Sequence, residues 1–323
     1  MAMSLEEFLE EWNNSSPYVH VQTSGSTGAP KPMLVEKRRM LNSARITCDF
    51  LELREGDTAL LCMSLDYIAG KMMVVRSLER GLKLIVQEPS GHPLGHRGTV
   101  PSVSSSIDFA AMVPMQVYNS LQVPEERERL RQIKNLIIGG GAIDDALAAE
   151  LKTFPHAVWS TYGMTETLSH IALRRLSGPE ASEFYTPFPG VHLSLSDEDC
   201  LIIDAPEVCP EPLVTNDVAE LSSQKFKILG RKDNIICSGG LKIQAEELER
   251  QLRPFMRAPY LISKRPDAKF GEIVVLLTEG SVDEAREVCQ RVLPKYHQPR
   301  AYIHLDHIPL TETGKPARFR LNI

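Results

Sequence analysis

Short apolar runs alternate with helical stretches early in the chain. The run TALLCM (58–63) predicts a buried strand, and AGKMMVVRSLERG (69–81) predicts a helix that ends at Gly81. The run LKLIVQ (82–87) predicts a second strand, so that these segments together form a βαβ unit. Strands in such units pair in parallel, and strands that are buried on both faces are apolar throughout.

The alternation continues as far as residue 163. Further apolar runs that end in turn residues lie at 108–114, 134–141 and 157–163, and helices are predicted at 114–122, 125–132 and 144–152. Ligands bind at the carboxyl ends of the strands in open α/β sheets, and the glycine-rich runs of this chain fall at those ends. We therefore expect a binding site at one edge of a mostly parallel sheet.

The pattern changes in the rest of the chain. From about residue 185 to 222, prolines separate short segments, as in a small β region. Beyond residue 231, strands are predicted near 234–240, 259–263, 272–278 and 301–305, and helices near 244–252 and 281–292. We predict an α/β protein with a large, layered N-terminal domain built on a mostly parallel sheet (1–230) and a small, mobile α+β C-terminal domain (231–323).

The charge, the length of the apolar runs and the spacing of the cysteines limit the kinds of partner that we expect for this protein. The chain has 323 residues and a net charge of −6, so no basic surface of the kind that binds nucleic acid is indicated. Its apolar runs are too short to span a bilayer, and the acidic start MAMSLEEFLEEW does not have the pattern of a signal peptide. The six cysteines include no CxxC pair, which argues against a zinc site or a disulfide framework. We expect a cytoplasmic protein without membrane insertion.

The stretch TSGSTGAPK (23–31) has the composition of a phosphate-binding loop. Glycines allow positive φ angles that turn backbone N–H groups toward an anion, and hydroxyls and a lysine add donors and charge. The residues concerned are Thr23, Ser24, Gly25, Ser26, Thr27, Gly28 and Lys31. The spacing is not that of a Walker P-loop, because only two residues separate the glycines. Taken alone, the stretch could equally be a flexible Ser/Gly linker.

Several later motifs fit the same site. Gly139, Gly140 and Gly141 follow a strand and would let a flat ring approach the backbone. In the run STYGMTET, Thr161, Tyr162, Gly163 and Thr165 offer an aromatic ring, a tight turn and hydroxyls, and the carboxylate of Glu166 indicates Mg²⁺ next to phosphate. Asp217 could accept hydrogen bonds from a ribose, and Arg231 could donate to the same sugar or to phosphate. Gly239, Gly240 and Lys315 complete the set.

In this order, the motifs resemble the adenylate-forming superfamily of acyl- and aryl-CoA ligases, luciferases and peptide-synthetase adenylation domains. The resemblance runs from residue 23 to 315. It implies that the loop, with Lys31, holds the β- and γ-phosphates of ATP, and that Thr165 and Glu166 handle the α-phosphate and Mg²⁺. Tyr162 would stack on adenine beside the 139–141 backbone, while Asp217 and Arg231 would hold the ribose.

The resemblance also implies a reaction in two steps. A carboxylic acid attacks the α-phosphorus to give an acyl-adenylate and pyrophosphate, with Lys315 bridging the carboxylate and the phosphate. The C-terminal domain then rotates about a hinge at Asp233, which removes Lys315 and brings Gly239 and Gly240 toward the pantetheine arm of coenzyme A. A simple turn-capping role for Asp233 is the alternative.

Two departures from the superfamily stand out. Relatives usually have a further subdomain of about 150 residues ahead of the phosphate loop, whereas 22 residues precede it here. We therefore expect a shortened N-terminal domain, either a natural short form or a truncated one. The sequence therefore does not decide whether the protein forms a homodimer or which residues complete the acyl pocket. In addition, Tyr67 replaces the histidine of a Pro-x-x-His-x-x-Gly segment that lines the acyl tunnel and ends at Gly70, and Pro32 replaces a glycine.

The run TYGMTETLSHIALR (161–174) most resembles the o-succinylbenzoate–CoA ligases of menaquinone synthesis. The second carboxylate of that acid needs a cation or hydroxyls, for which the candidates are Lys71, Ser169, His170 and Arg174, with Tyr67 and Gly70 beside them. Considered singly, Lys71 is expected on a helix surface and His170 toward the core.

Other functions stay open. The chain could be another aryl- or short-acyl-CoA ligase, or a degenerate nucleotide-binding protein. It could also activate an amino acid, because Asp66 lies where such domains hold the substrate ammonium. Because eight residues follow Lys315, we expect no fused carrier domain, which disfavours that third reading and leaves a free-standing carrier as its alternative.

Overall fold

The computed structural model describes residues 3–22, 32–95, 107–310 and 318. Its helices are α1 (Leu5–Asn13), α2 (Lys37–Phe50), α3 (Ile68–Arg80), α4 (Pro114–Gln122), α5 (Pro124–Arg131), α6 (Asp145–Leu151), α7 (Ala245–Leu252) and α8 (Val282–Val292). The strands of the N-terminal part are β1 (Tyr18–Gln22), β2 (Pro32–Glu36), β3 (Thr58–Leu61), β4 (Lys83–Val86), β5 (Phe109–Met112), β6 (Asn135–Ile138), β7 (Ala157–Gly163), β8 (His170–Arg175) and β9 (Thr186–Pro187). Then follow β10 (His192–Leu195), β11 (Cys200–Asp204), β12 (Leu213–Ser222), β13 (Lys225–Arg231), β14 (Ile235–Ser238), β15 (Leu241–Gln244), β16 (Tyr260–Asp267), β17 (Gly271–Thr278) and β18 (Ala301–His304).

The largest sheet has seven strands in the order β4-β3-β5-β6-β7-β8-β9. Strands β3 to β7 pair in parallel with their neighbours in this order, which confirms the predicted βαβ unit and the mostly parallel sheet. Strands β8 and β9 are antiparallel to their neighbours, so the sheet is mixed. An antiparallel edge on a parallel sheet is common in α/β proteins.

Alternate residues of the central strands enter two different cores. Along β5, Phe109 and Ala111 belong to one apolar cluster, whereas Ala110 and Met112 belong to the other. The first cluster includes Met40 from α2 and residues of α3, and the second includes residues of α4, α5 and α6. The sheet therefore lies between two layers of helices, which is why its strands are apolar on both faces.

Two smaller antiparallel sheets flank the large one. Strands β1 and β2 form a hairpin whose register ends with Gln22 opposite Pro32, so residues 23–31 connect the two strands. Strands β10 to β13 form a four-stranded sheet, which confirms the small β region expected from about residue 185. Helix α1 begins with a capping box between Ser4 and Glu7, and it buries Phe8 completely.

The C-terminal elements enclose a core of their own. Strands β14 to β18 form a five-stranded sheet, and Ile236, Leu248 and Val274 belong to an apolar cluster shared with α7 and α8. A short 3₁₀ turn, Lys232–Asn234, joins this part to β13. The domain boundary near residue 231 stays a prediction. None of the described helices has the length and apolar character that crossing a membrane requires.

Candidate functional site

Part of the predicted site lies outside the described residues: Thr23, Ser24, Gly25, Ser26, Thr27, Gly28, Lys31 and Lys315. The structure does describe both ends of the predicted phosphate loop, at Gln22 and Pro32. Gln22 also forms a parallel bridge with Tyr67, the residue that precedes α3. Tyr67 of the predicted acyl-tunnel segment therefore lies beside the last residue of β1.

The glycines at the ends of β6 and β7 permit close contacts between backbone and neighbouring groups. A Cβ atom on Gly139 would lie 2.4 Å from Thr161 Oγ1, and one on Gly163 would lie 2.2 Å from the carbonyl oxygen of Ser169. Gly140 has a φ angle of 79°, which favours glycine. Gly141 lies against Pro114 without such crowding. The edge of the sheet predicted to hold the nucleotide is thus closely packed around residues 139 and 163.

Three of the residues predicted to bind the nucleoside meet in the structure. Asp217 on β12 lies opposite Arg231 on β13, and Arg231 Nη1 donates to Asp217 Oδ1 at 3.1 Å. The hydroxyl of Tyr162, at the end of β7, donates to Asp217 Oδ2 at 2.8 Å. Burial and the charge of Asp217 raise the pKa of Tyr162, so this hydroxyl stays protonated and keeps donating. The arrangement holds the Asp217 carboxylate in a fixed orientation.

The ring of Tyr162 packs edge-on against Phe226, with centroids 5.0 Å apart, and lies 5.8 Å from the Tyr185 ring. This aromatic cluster sits between the end of β7 and the small antiparallel sheet. Stacking of adenine on Tyr162 stays a prediction.

Arg231 also connects the nucleoside residues to the predicted hinge. Its Nη2 donates to Asp233 Oδ2 at 3.0 Å, while its Nη1 bonds Asp217. One guanidinium thus bridges the two carboxylates. The hinge role of Asp233 itself stays a prediction.

Thr165 and Glu166 lie on a 3₁₀ turn, Thr165–Thr167, that follows β7. Thr165 is buried and Glu166 is exposed. Within the described ranges, no three or more His, Cys, Asp and Glu side chains form a metal-binding group. A single exposed carboxylate fits a Mg²⁺ ion that takes its other ligands from phosphate oxygens and water, which is how this ion is usually bound to nucleotides.

Gly239 and Gly240 form the turn between β14 and β15, with φ angles of 59° and 86°. Positive φ at both central residues is the signature of a type I′ hairpin turn, which explains the glycine pair locally. Gly239 N donates to the carbonyl oxygen of Phe270, just before β17, at 2.9 Å. The approach of this turn to coenzyme A stays a prediction.

Lys71 was expected on a helix surface, and this is wrong. It is only 2% exposed. Its ammonium donates to the His20 carbonyl oxygen at 2.6 Å, lies 3.7 Å from Glu11 Oε2, and sits 5.4 Å from the centroid of the Phe8 ring. Helix α1 therefore covers this face of α3, and the Lys71 charge is held by the chain itself.

The residues around Lys71 are equally confined. A Cβ atom on Gly70 would lie 2.2 Å from the Ser64 carbonyl oxygen, so the start of α3 needs a glycine here. Asp66 accepts from Met3 N and from Ser64 Oγ, each at 2.9 Å. Because both of its oxygens bond the chain, the structure disfavours Asp66 as a site for a substrate ammonium.

His170 faces the core, as expected, and it is 7% exposed. Its Nε2 lies 3.1 Å from Thr47 Oγ1, and its Nδ1 lies 3.1 Å from Ser169 Oγ. Burial, and secondarily the charge of Arg76, lower the pKa of His170 well below 6.5. The imidazole is therefore neutral at physiological pH.

Arg76 on α3 is a candidate that the sequence analysis missed. It is 2% exposed, and its Nη2 donates to Ser169 Oγ at 2.6 Å. Within the described part of the chain, Nη1 bonds only the Met73 sulfur, at 3.9 Å, and Nε has no hydrogen-bond partner. No carboxylate among the described residues pairs with this guanidinium, and burial lowers its pKa to about 10. A charged residue inside the apolar run MMVVRS is the signal that could have identified it.

Arg174, the remaining pocket candidate, lies elsewhere. Its guanidinium stacks on the Tyr185 ring, 5.2 Å from the centroid. It belongs to the aromatic cluster near Tyr162 and not to the group formed by Arg76, Ser169 and His170.

Comparison with known proteins identifies relatives. The family described as AMP-binding enzyme matches residues 5–207. The 2-succinylbenzoate–CoA ligase of Enterococcus faecalis is 26% identical over 360 aligned residues, covering 99% of this chain and 72% of that protein.

Two solved structures of other proteins are similar to this chain. An acyl-CoA synthetase (AMP-forming)/AMP-acid ligase II-like protein from Dyadobacter fermentans is 33% identical, with a TM-score of 0.66, over 97% of this chain and 91% of that one. The o-succinylbenzoate CoA synthetase of Bacillus subtilis, solved with the intermediate OSB-AMP, shares the fold with a TM-score of 0.77 at 21% identity, over 94% and 68% of the two chains.

Proposed function

We propose that this chain, which belongs to the AMP-binding enzyme family, is an ATP-dependent, AMP-forming acid–CoA ligase that converts o-succinylbenzoate to o-succinylbenzoyl-CoA. The relative from Enterococcus faecalis supports the reaction and the acid. ATP, Mg²⁺ and coenzyme A are the small molecules that this reaction requires. The place in menaquinone synthesis, a cytoplasmic location and a homodimer belong to the same proposal.

The observation that carries the choice of acid is the buried charge of Arg76, with which no carboxylate of the described residues pairs. A buried charge without a counter-ion destabilises a fold by several kcal/mol, about 3 to 5 when a buried pair is broken. A ligand carboxylate would supply the missing partner. o-Succinylbenzoate has two carboxylates, of which one is activated and the other is left for recognition. A monocarboxylic acid would leave Arg76 unpaired.

The position of Arg76 suits this role. Its guanidinium contacts Ser169, whose carbonyl oxygen packs against Gly163 at the end of β7. The turn that carries Thr165 and Glu166 connects these two residues. A carboxylate held at Arg76 would therefore be separated from the predicted α-phosphate site by Ser169 and this turn. The carboxylate of the acid that is not activated is expected at such a distance from the α-phosphate.

In the first step, an oxygen of the succinyl carboxylate attacks the α-phosphorus, and pyrophosphate leaves. The contribution of the protein is alignment and charge neutralisation. Asp217, oriented by Tyr162 and Arg231, would accept from the ribose hydroxyls. Glu166 would hold Mg²⁺, which supplies positive charge at the phosphates. The roles of the loop at 23–31 and of Lys315 are those that the sequence resemblance implies.

In the second step, the thiol of coenzyme A attacks the acyl carbon, and AMP leaves. Arg231 is placed to take part in the accompanying domain movement, because it bonds both Asp217 and the predicted hinge residue Asp233. Breaking the bond between Arg231 and Asp233 would free the hinge, while the bond between Arg231 and Asp217 could stay intact at the nucleoside end of the site.

The test uses Arg76→Gln and two acids, o-succinylbenzoate and 4-oxo-4-phenylbutanoate, which lacks the ring carboxylate. The variant should raise KM for o-succinylbenzoate by roughly 100-fold, since a hydrogen-bonded charge pair contributes about 3 kcal/mol. KM for the monoacid should change little.

Arg80→Gln is the matched control, because Arg80 lies one turn further along α3 and pairs with Asp49. Equal losses for both acids in the Arg76 variant would contradict the assignment of Arg76 to the ring carboxylate.

A further inference from the structure

We propose that Thr47, on α2, is a positioning residue that orients Arg76 by fixing the direction of a buried chain of hydrogen bonds. The inference rests on the proposed function, in which Arg76 holds the remote carboxylate of the acid. Thr47 makes no hydrogen bond to Arg76 in the described structure. It acts through His170 and Ser169, which lie between them.

The chain of hydrogen bonds joins three elements of the fold. Thr47 Oγ1 on α2 and Ser169 Oγ, just before β8, lie on the two ring nitrogens of His170, each at 3.1 Å. Arg76 Nη2 on α3 donates to Ser169 Oγ at 2.6 Å. Thr47, Arg76 and His170 are all less than a tenth exposed and Ser169 is half-buried, so the bond between Thr47 and His170 is shielded from water and the two bonds to Ser169 are partly shielded.

The hydroxyl of Thr47 decides which way every bond points. It donates its only hydrogen to the Ser43 carbonyl oxygen, at 3.0 Å on the same helix. Thr47 Oγ1 can then only accept from His170, so the ring hydrogen is on Nε2. Because the imidazole is neutral, Nδ1 is an acceptor and takes the hydrogen of the Ser169 hydroxyl. The lone pairs of Ser169 Oγ are left for Arg76.

Removing the Thr47 hydroxyl reverses the direction of the hydrogen bond between His170 and Ser169. In Thr47→Val, the buried Nε2–H group has no acceptor, which makes the other tautomer, with hydrogen on Nδ1, the favoured one. Nδ1–H then donates to Ser169 Oγ and competes with Arg76 for the same oxygen. The hydroxyl hydrogen of Ser169 turns away from His170. The bond from Arg76 to its single well-oriented oxygen acceptor among the described residues is thereby weakened.

Kinetics with two acids test the role of Thr47 in positioning. Thr47→Val should raise KM for o-succinylbenzoate about tenfold while kcat stays within a factor of two or so, since one charge-assisted hydrogen bond is weakened. KM for 4-oxo-4-phenylbutanoate should not move. Thr47→Ser, which keeps the hydroxyl, should behave as the wild type.

Ser77→Ala is the matched control. Ser77 on α3 is buried, follows Arg76 directly, and donates to the Met73 carbonyl oxygen at 2.9 Å, the same kind of bond that Thr47 makes. Its loss should leave KM for both acids unchanged. Equal effects of Thr47→Val on the two acids, or an effect as large in Ser77→Ala, would overturn the inference.

The tautomer provides a readout that does not need a substrate. Long-range ¹H–¹⁵N correlation spectra of the imidazoles, with His170 assigned through His170→Gln, should show Nε2–H in the wild type and Nδ1–H in Thr47→Val. An Nδ1–H tautomer in the wild type, or no change in the variant, would overturn the inference. If the wild type makes no o-succinylbenzoyl-CoA, the proposed function fails, and these spectra still decide the direction of the bonds.

Discussion

His170 should make this protein lose stability in mild acid, and His170→Gln should remove that loss. Glutamine keeps one donor and one acceptor but does not titrate. In the folded chain, burial and the charge of Arg76, the one charged side chain that acts on the ring, lower the pKa of His170 well below 6.5. In the unfolded chain, the imidazole titrates near its ordinary value.

The sign and size follow from proton linkage. Because the folded pKa is the lower one, the stability contributed by neutral His170 is fully present above about pH 6.5 and is lost as the pH falls toward the folded value. Each pH unit within that window removes about 1.4 kcal/mol. Protonation at Nδ1 would also reverse the bond with Ser169, so that Nδ1–H and the Arg76 guanidinium donate to the same oxygen.

Urea unfolding at pH 7.5 and pH 5.5 measures this directly. Between the two pH values, the free energy of unfolding of the wild type should fall by about 1.4 kcal/mol more than that of His170→Gln. His192→Gln, which removes an exposed imidazole, controls for histidine loss in general. If the wild type and His170→Gln lose stability equally, His170 is not buried in its neutral form and the reasoning is refuted.

Two further predictions concern the nucleotide side of the site. Gly163→Ala should destabilise the chain by about 2 kcal/mol and abolish adenylation, because its Cβ would lie 2.2 Å from the Ser169 carbonyl oxygen; a thermal unfolding midpoint equal to that of the wild type would show that the segment yields. Asp217→Asn should raise KM for ATP about tenfold by weakening one charge-assisted bond, with little effect on KM for the acid. An equal rise in both KM values would place Asp217 outside the ribose site.

The sequence predicts the central sheet well because strands buried on both faces are apolar without interruption. The run FAAM of β5 divides its residues between two cores, and no polar position obscures it. The direction of a strand relative to its neighbours cannot be predicted in this way, because the spacing of apolar residues does not show whether two strands pair in parallel or antiparallel. The sequence therefore did not indicate that β8 runs antiparallel to β7.

The sequence predicts individual site residues better than their partners. Tyr162, Asp217 and Arg231 were identified separately, and the register between β12 and β13 brings the last two together. Lys71 was placed wrongly because its burial depends on Glu11 and Phe8 of α1, which pack on α3 only in the folded chain. Arg76 was missed because the function of a charged residue in an apolar helix can be recognised only when its partners in the folded chain are known.

The most direct test of the account is to identify the products by mass spectrometry. The wild-type chain is incubated with ATP, Mg²⁺, coenzyme A and o-succinylbenzoate, and with benzoate, acetate and pooled amino acids in parallel. The account predicts o-succinylbenzoyl-CoA together with AMP, and no thioester from the other acids. A thioester or acyl-adenylate from another acid, with none from o-succinylbenzoate, would contradict it.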